Sequence, residues 1–159
     1  MKIKLILPLL FLFVSCCNTE KKDKTDAVYA PEIDLVKEAS DYKMVLDNLT
    51  KLNQERLDTG IAMLQTEKLY YTQMDSMLNV VYKDLINTYN KTNFENLRKQ
   101  QRQWLKERDA FFRKMQDEYQ KESGEVDFLP NDYKLMVYGE KSSFVKERVL
   151  TLINLLDKN

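Results

Sequence analysis

The sequence contains no histidine. That absence removes the commonest metal ligand and the side chain that most often moves protons near neutral pH. It excludes a Ser-His-Asp triad and the Glu-x-x-His sites of di-iron bundles. Only two cysteines occur, Cys16 and Cys17, side by side near the start. The remaining chain therefore has no internal disulfide and no thiolate metal site. Glycine is scarce, at three residues, and no phosphate-cradling glycine-rich pattern is present. Neither sign of charge is in excess, since 25 Lys and Arg face 25 Asp and Glu. A nucleic-acid partner calls for a strongly basic face, so none is expected. With these groups missing, the expectation is a protein that is not an enzyme and holds no metal and no cofactor.

What is present begins with a targeting signal. Met1-Lys2-Ile3-Lys4 is a short basic start. Residues 5–14 are apolar apart from Pro8. Ten residues are too few to span a bilayer, which takes about 20 in a helix. Their length and flanks are those of a signal-peptide hydrophobic region. The tail Phe13-Val14-Ser15-Cys16 resembles a lipobox, the acylation and cleavage site of bacterial lipoproteins. Phe13 stands where Leu is usual. Cys16 is the expected lipidated residue, with Cys17 as the alternative. The resemblance implies a lipid anchor in the cell envelope, at the outer membrane. Residues 1–15 are then a signal peptide, 16–30 a flexible tether and 31–159 one helical domain. Removing Lys2 and Lys4 leaves 23 basic against 25 acidic residues. The run Glu20-Lys21-Lys22-Asp23-Lys24 suits a solvated tether.

The breakers Pro31, Gly60, Gly124, Pro130 and Gly139 divide the domain into long pieces of helical pattern. A first helix is expected over 32–57, with Val45, Leu49 and Leu52 inward and Ser40-Asp41 as a place where it breaks or restarts. Asp58-Thr59-Gly60 reads as a turn. A second helix is expected over 62–90, because Leu64, Tyr71, Leu78 and Leu85 recur every seven residues with Met74 and Val81 between them. Thr92 and Glu95 have the spacing of a capping box and open a third helix that ends near Gly124. Residues 125–132 read as a loop and 132–138 as a short helical turn. A last helix over 140–157 buries Phe144, Val145, Val149, Leu152, Ile153 and Leu156. No segment alternates as a half-buried strand would. The fold expected is all-α, a small antiparallel bundle of about four helices without disulfides.

The third helix carries the most information. Phe94, Leu97, Gln101, Trp104, Arg108, Phe111 and Met115 lie on one face. Gln101 and Arg108 interrupt an otherwise apolar stripe, and inward polar groups need partners. Asn79, Arg148, Asp109 and Asp75 are candidate members of one network. Its role is either to fix helix register or to bind a ligand, the first weighing more. Trp104 reads as a core anchor.

These residues carry a family resemblance. Met74-Asp75 with Leu78-Asn79-x-x-Tyr82, then Leu97-Arg98-x-x-Gln101-Arg102-x-Trp104-Leu105-x-x-Arg108-Asp109, then Arg148-x-x-x-Leu152, resembles the LprI-type lysozyme-inhibitor domain. The likeness covers residues 62–156 and leaves 18–60 outside. It implies a small helical domain, secreted or lipid-anchored, whose partner is a protein of the lysozyme type. Many relatives carry paired cysteines, one just after the Arg-Asp, where this chain has Phe111-Phe112. Apolar packing is expected in place of that bridge.

Two functions follow as expectations. One is an envelope binding protein that captures a lysozyme. Its candidate surfaces are the loop with Glu122, Glu125, Asp127 and Asp132, and the pair Tyr70-Tyr71. The other is a structural or assembly lipoprotein, which a broad exposed apolar face on residues 32–57 would favour.

Overall fold

A computed structural model describes residues 38–125 and 127–158. The signal segment, Cys16, Cys17 and the tether lie outside the described residues. Four helices follow one another: α1 (Ala39–Leu57), α2 (Met63–Thr88), α3 (Lys91–Ser123) and α4 (Asn131–Leu156). The described residues contain no strand. The all-α bundle without disulfides stands.

The helix ends show local rules at work. Asn90 caps α3, its side chain accepting from the Asn93 N–H at 2.9 Å. Thr92 is therefore already helical, and the expected capping box is replaced. Glu95 lies 3.8 Å from Arg98, one turn onward, instead of reaching back to Thr92. Gly124 ends α3 with φ +70°, a backbone that favours glycine. Gly60 (φ +68°) and Ala62 (φ +50°) turn the chain from α1 into α2. Ser40-Asp41 does not interrupt α1, because the helix begins at Ala39. The expected break at Gly139 is absent too. α4 is continuous through it, and a single glycine costs a packed helix only about 1 kcal/mol.

Residue pairs fix the topology. Tyr42 donates to Asp84, Thr50 meets Tyr70 at 2.9 Å, and Asn53 donates to Glu67 at 3.0 Å. These rungs run in opposite directions along α1 and α2, so the two are antiparallel. Lys43 pairs with Asp157 at 2.8 Å, which places the end of α4 beside the start of α1. Hence α2 and α4 run parallel, while α3 runs back along both. The bundle is up-down-up-down. Its most extensive contact is between α2 and α4, which are not sequence neighbours.

The main core lies where those two helices meet, with α1 closing one side and α3 the other. Met74, Met77, Val81, Leu85, Val145, Val149, Leu152 and Ile153 are fully buried there. Each such side chain contributes about 1.5–3 kcal/mol by leaving water. The buried stripe of α2 runs 67, 70, 74, 77, 78, 81, 85. Leu64 and Tyr71, expected at its centre, sit at its edge and are half-buried. On α1 the centre is Tyr42, Leu46 and Leu49, with Val45 and Leu52 half-buried beside it. A second, smaller cluster of Met115, Leu129 and Val137 closes the far end of the α3–α4 hairpin.

Candidate functional site

The inward stripe of α3 is present residue for residue. Leu97, Gln101 and Met115 are buried, while Phe94, Trp104, Arg108 and Phe111 are half-buried. α3 uses it to cover the edge of the α2–α4 pair. Trp104 stacks on Phe144 of α4 (5.8 Å, 23°), and Phe144 stacks on Phe111 (4.7 Å, 14°). Phe112 meets Phe144 and Tyr71 edge-on at 6.0 and 6.1 Å. Apolar packing thus occupies the place where a bridging cysteine was missing. Such ring pairs add about 0.5–1.5 kcal/mol beyond their buried area.

The polar residues on the stripe fall into two groups, one on each side of Trp104. In the first, the Arg148 Nε donates to Gln101 Oε1 at 2.9 Å. In the second, Arg108 donates from Nε and Nη2 to Asp109 Oδ1 at 3.0 and 2.7 Å. Arg108 also lies 3.9 Å from Asp75. The Asn79 amide donates to the Asp75 carbonyl at 2.9 Å. The Trp104 ring joins the two groups, with the Arg108 and Arg148 guanidinium carbons 5.7 and 5.8 Å from its centroid. The expected single network is thus two short ones that meet at an aromatic ring. The other motif residues go elsewhere. Leu97 is core, Tyr82 packs against the core, and Arg98 and Arg102 are exposed.

Burial sets the electrostatics here. It pushes the Arg148 guanidinium below its ordinary value, against Glu107 and Tyr82, which raise it. It also lowers Lys141, whose ammonium lies 5.2 and 5.4 Å from the Phe112 and Tyr138 rings. Among the described residues no group of three His, Cys, Asp or Glu side chains is placed to hold a metal ion. No described helix is long and apolar enough to cross a membrane.

The family model described as lysozyme inhibitor LprI matches residues 48–152. The chain belongs to the LprI family. No curated protein and no solved structure matches it. The match begins at Asn48, so the second half of α1 belongs to the LprI unit and is not outside it. The physical reason is visible in the rungs Thr50–Tyr70 and Asn53–Glu67, which tie that half to α2.

One group escaped the sequence reading. Glu67 is only 7% exposed, accepting from Asn53 and, at 3.4 Å, from the Ser142 hydroxyl. It interrupts the α2 stripe as Gln101 interrupts that of α3. The same signal would have found it had the stripe been centred on 70, 74 and 77.

Of the two candidate surfaces for an LprI partner, one is closed. Tyr70 is buried against Thr50, and Tyr71 is held edge-on between Phe112 and Tyr138. The loop after α3 remains open. The Gln120 amide donates to the carbonyls of Glu125 and Phe128 at 2.5 and 3.2 Å, and Leu129 is buried beneath. Phe128 is left 57% exposed. Exposed Glu118, Glu122, Glu125, Asp127, Asp132 and Glu140 surround this end. Burial and the neighbouring Glu140, Glu122 and Glu118 raise the Tyr119 phenol above its ordinary value.

Proposed function

We propose that the protein is an envelope-anchored binding protein that protects the cell wall by inhibiting a lysozyme-type enzyme. The observation that carries this reading is the LprI match, which runs from the second half of α1 through most of α4. The absence of histidine from the whole chain supports binding over catalysis. Lipid attachment at Cys16 and placement at the outer membrane complete the proposal. They rest on the lipobox-like tail alone.

The acidic end of the α3–α4 hairpin is the surface through which the domain meets its partner. A lysozyme cleft itself carries two carboxylates. An acidic loop does not enter such a cleft; it docks on basic residues around the rim and obstructs the entrance. Phe128 supplies the apolar anchor, and the carboxylates steer the encounter. α1 gives the assembly reading no support, since Met44 is its one large apolar side chain left exposed.

The test uses a soluble form, residues 18–159, in a lysozyme-driven cell-wall lysis assay. Inhibition is expected, together with a loss of at least about tenfold in Phe128→Ala, which removes one anchor. No inhibition at a tenfold molar excess over the enzyme would overturn the proposal.

A further inference from the structure

Trp104 lies between two arginines with different surroundings. Arg108 is neutralised by Asp109 and Asp75. Among the described residues Arg148 has no carboxylate within ion-pair distance, and its one hydrogen bond goes to the neutral amide of Gln101. Its Nη2 is buried without a partner. Half-burying a guanidinium with no carboxylate paired to it costs free energy that an anion beside its accessible edge would partly offset.

Beside this cation an open cleft of about 540 Å³ runs along α3. Small-molecule sites commonly span about 300–1,000 Å³. Trp104 and Arg148 line it together with the amides of Asn96, Gln100 and Gln103. Lys99 and Glu107 are its charged borders. A smaller cleft of about 230 Å³ continues along the helix and shares Asn96 and Gln100.

We propose that this cleft binds a carboxylated saccharide, with the carboxylate on Arg148 and the sugar ring beside Trp104. With Nε held by Gln101 and Nη2 buried, Nη1 is the guanidinium nitrogen left to meet a carboxylate, by one charge-assisted hydrogen bond. Side-chain amides both donate and accept, as sugar hydroxyl and acetamido groups require. The described residues form no sheet edge on which an extended peptide could pair. Glu107 on the border repels any anion, a doubly charged phosphate more than a single carboxylate. The continuation along α3 leaves room for a second ring. The proposal concerns a small ligand and stands apart from the lysozyme reading.

Trp104 is the only tryptophan, so its fluorescence reports this cleft directly. The purified full chain in detergent is titrated with N-acetylmuramic acid, with N-acetylglucosamine as the sugar lacking the carboxylate, and with acetate as the carboxylate lacking the sugar. The expected result is a saturable change with N-acetylmuramic acid. Binding of the other two should be at least about tenfold weaker, the scale of one lost charge-assisted hydrogen bond. Arg148→Gln should abolish the preference for the acid, and Arg148→Lys should restore it in part. Gln103→Ala, on the exposed wall, should weaken both sugars alike. It keeps the test open if the Arg148 variants lose their fold, which thermal unfolding reads. No saturable change, equal binding of both sugars, acetate matching the acid, or an unaltered preference in folded Arg148→Gln would each overturn the proposal. Lysozyme inhibition is not read in this experiment, so its failure leaves the inhibitor reading standing.

Discussion

Gln101 is a polar residue on an apolar stripe, and its partner explains it. Its carbonyl oxygen receives the Arg148 Nε in a half-buried place. Gln101→Leu keeps the volume and removes the acceptor. It should lower unfolding free energy in urea by about 1–3 kcal/mol, the cost of a buried donor left unpaired. Titration supplies a second residue-scale prediction. Burial raises the phenols of Tyr70 and Tyr71 above their ordinary 10.0. The folded chain then keeps protons that the unfolded chain releases. Their contribution is complete below about pH 10 and is lost as pH rises through the raised values. Lys141 has the opposite sign. Its lowered value makes stability rise with pH until the unfolded ammonium also titrates, near 10.5. Tyr71→Phe removes one of the phenols, so its urea midpoint should fall less between pH 8 and pH 11 than that of the unaltered chain. An equal fall would contradict the assignment. Residues such as Gln101 and Arg108 were legible because α3 covers the core from one side. Its apolar stripe is narrow, and polar intruders stand out.

At the scale of elements, the caps give the sharpest test. Asn90 and Thr92 both carry a capping oxygen, two residues apart, and the sequence pattern favoured Thr92 because of Glu95. The structure assigns the cap to Asn90. Asn90→Ala should therefore cost about 1 kcal/mol, and Thr92→Ala about 0.5 kcal/mol or less. Thermal or urea unfolding separates the two, and the reverse order would restore the capping box. Gly124→Ala should cost about 1 kcal/mol as well, although a Cβ there meets nothing within 4 Å. The penalty is the left-handed backbone, not a clash. The second helix was harder to phase than the third. α2 is covered by α1 and α4 and touched at its edge by α3, so apolar residues spread over more of its circumference. A heptad beginning at Leu64 then fits nearly as well as the buried set. The sequence pattern splits the fourth at Gly139 for a related reason: glycine marks a helix end only when packing does not carry the helix through it.

At the scale of the molecule, helix number and fold class were legible, because long amphipathic segments separated by Gly and Pro leave few alternatives. The pairing was not. That α2 and α4 form a parallel central pair depends on α1 meeting both in the same sense, through Tyr42–Asp84 on one side and Lys43–Asp157 on the other, whose members are 42 and 114 residues apart. No local pattern announces them. The same arrangement decides which surface is free. It buries Tyr70 and leaves the hairpin end, with Phe128 and its ring of carboxylates, open to a partner. Electrostatic steering of this kind weakens as salt rises. The most direct measurement is therefore lysozyme-driven lysis in the presence of residues 18–159, at low and at physiological salt. The account predicts inhibition that weakens with salt and falls at least about tenfold in Phe128→Ala and in the charge reversal Asp127→Lys, with thermal unfolding unchanged. Full inhibition by both variants would contradict the assigned surface. No inhibition by the unaltered domain at a tenfold excess would contradict the function itself.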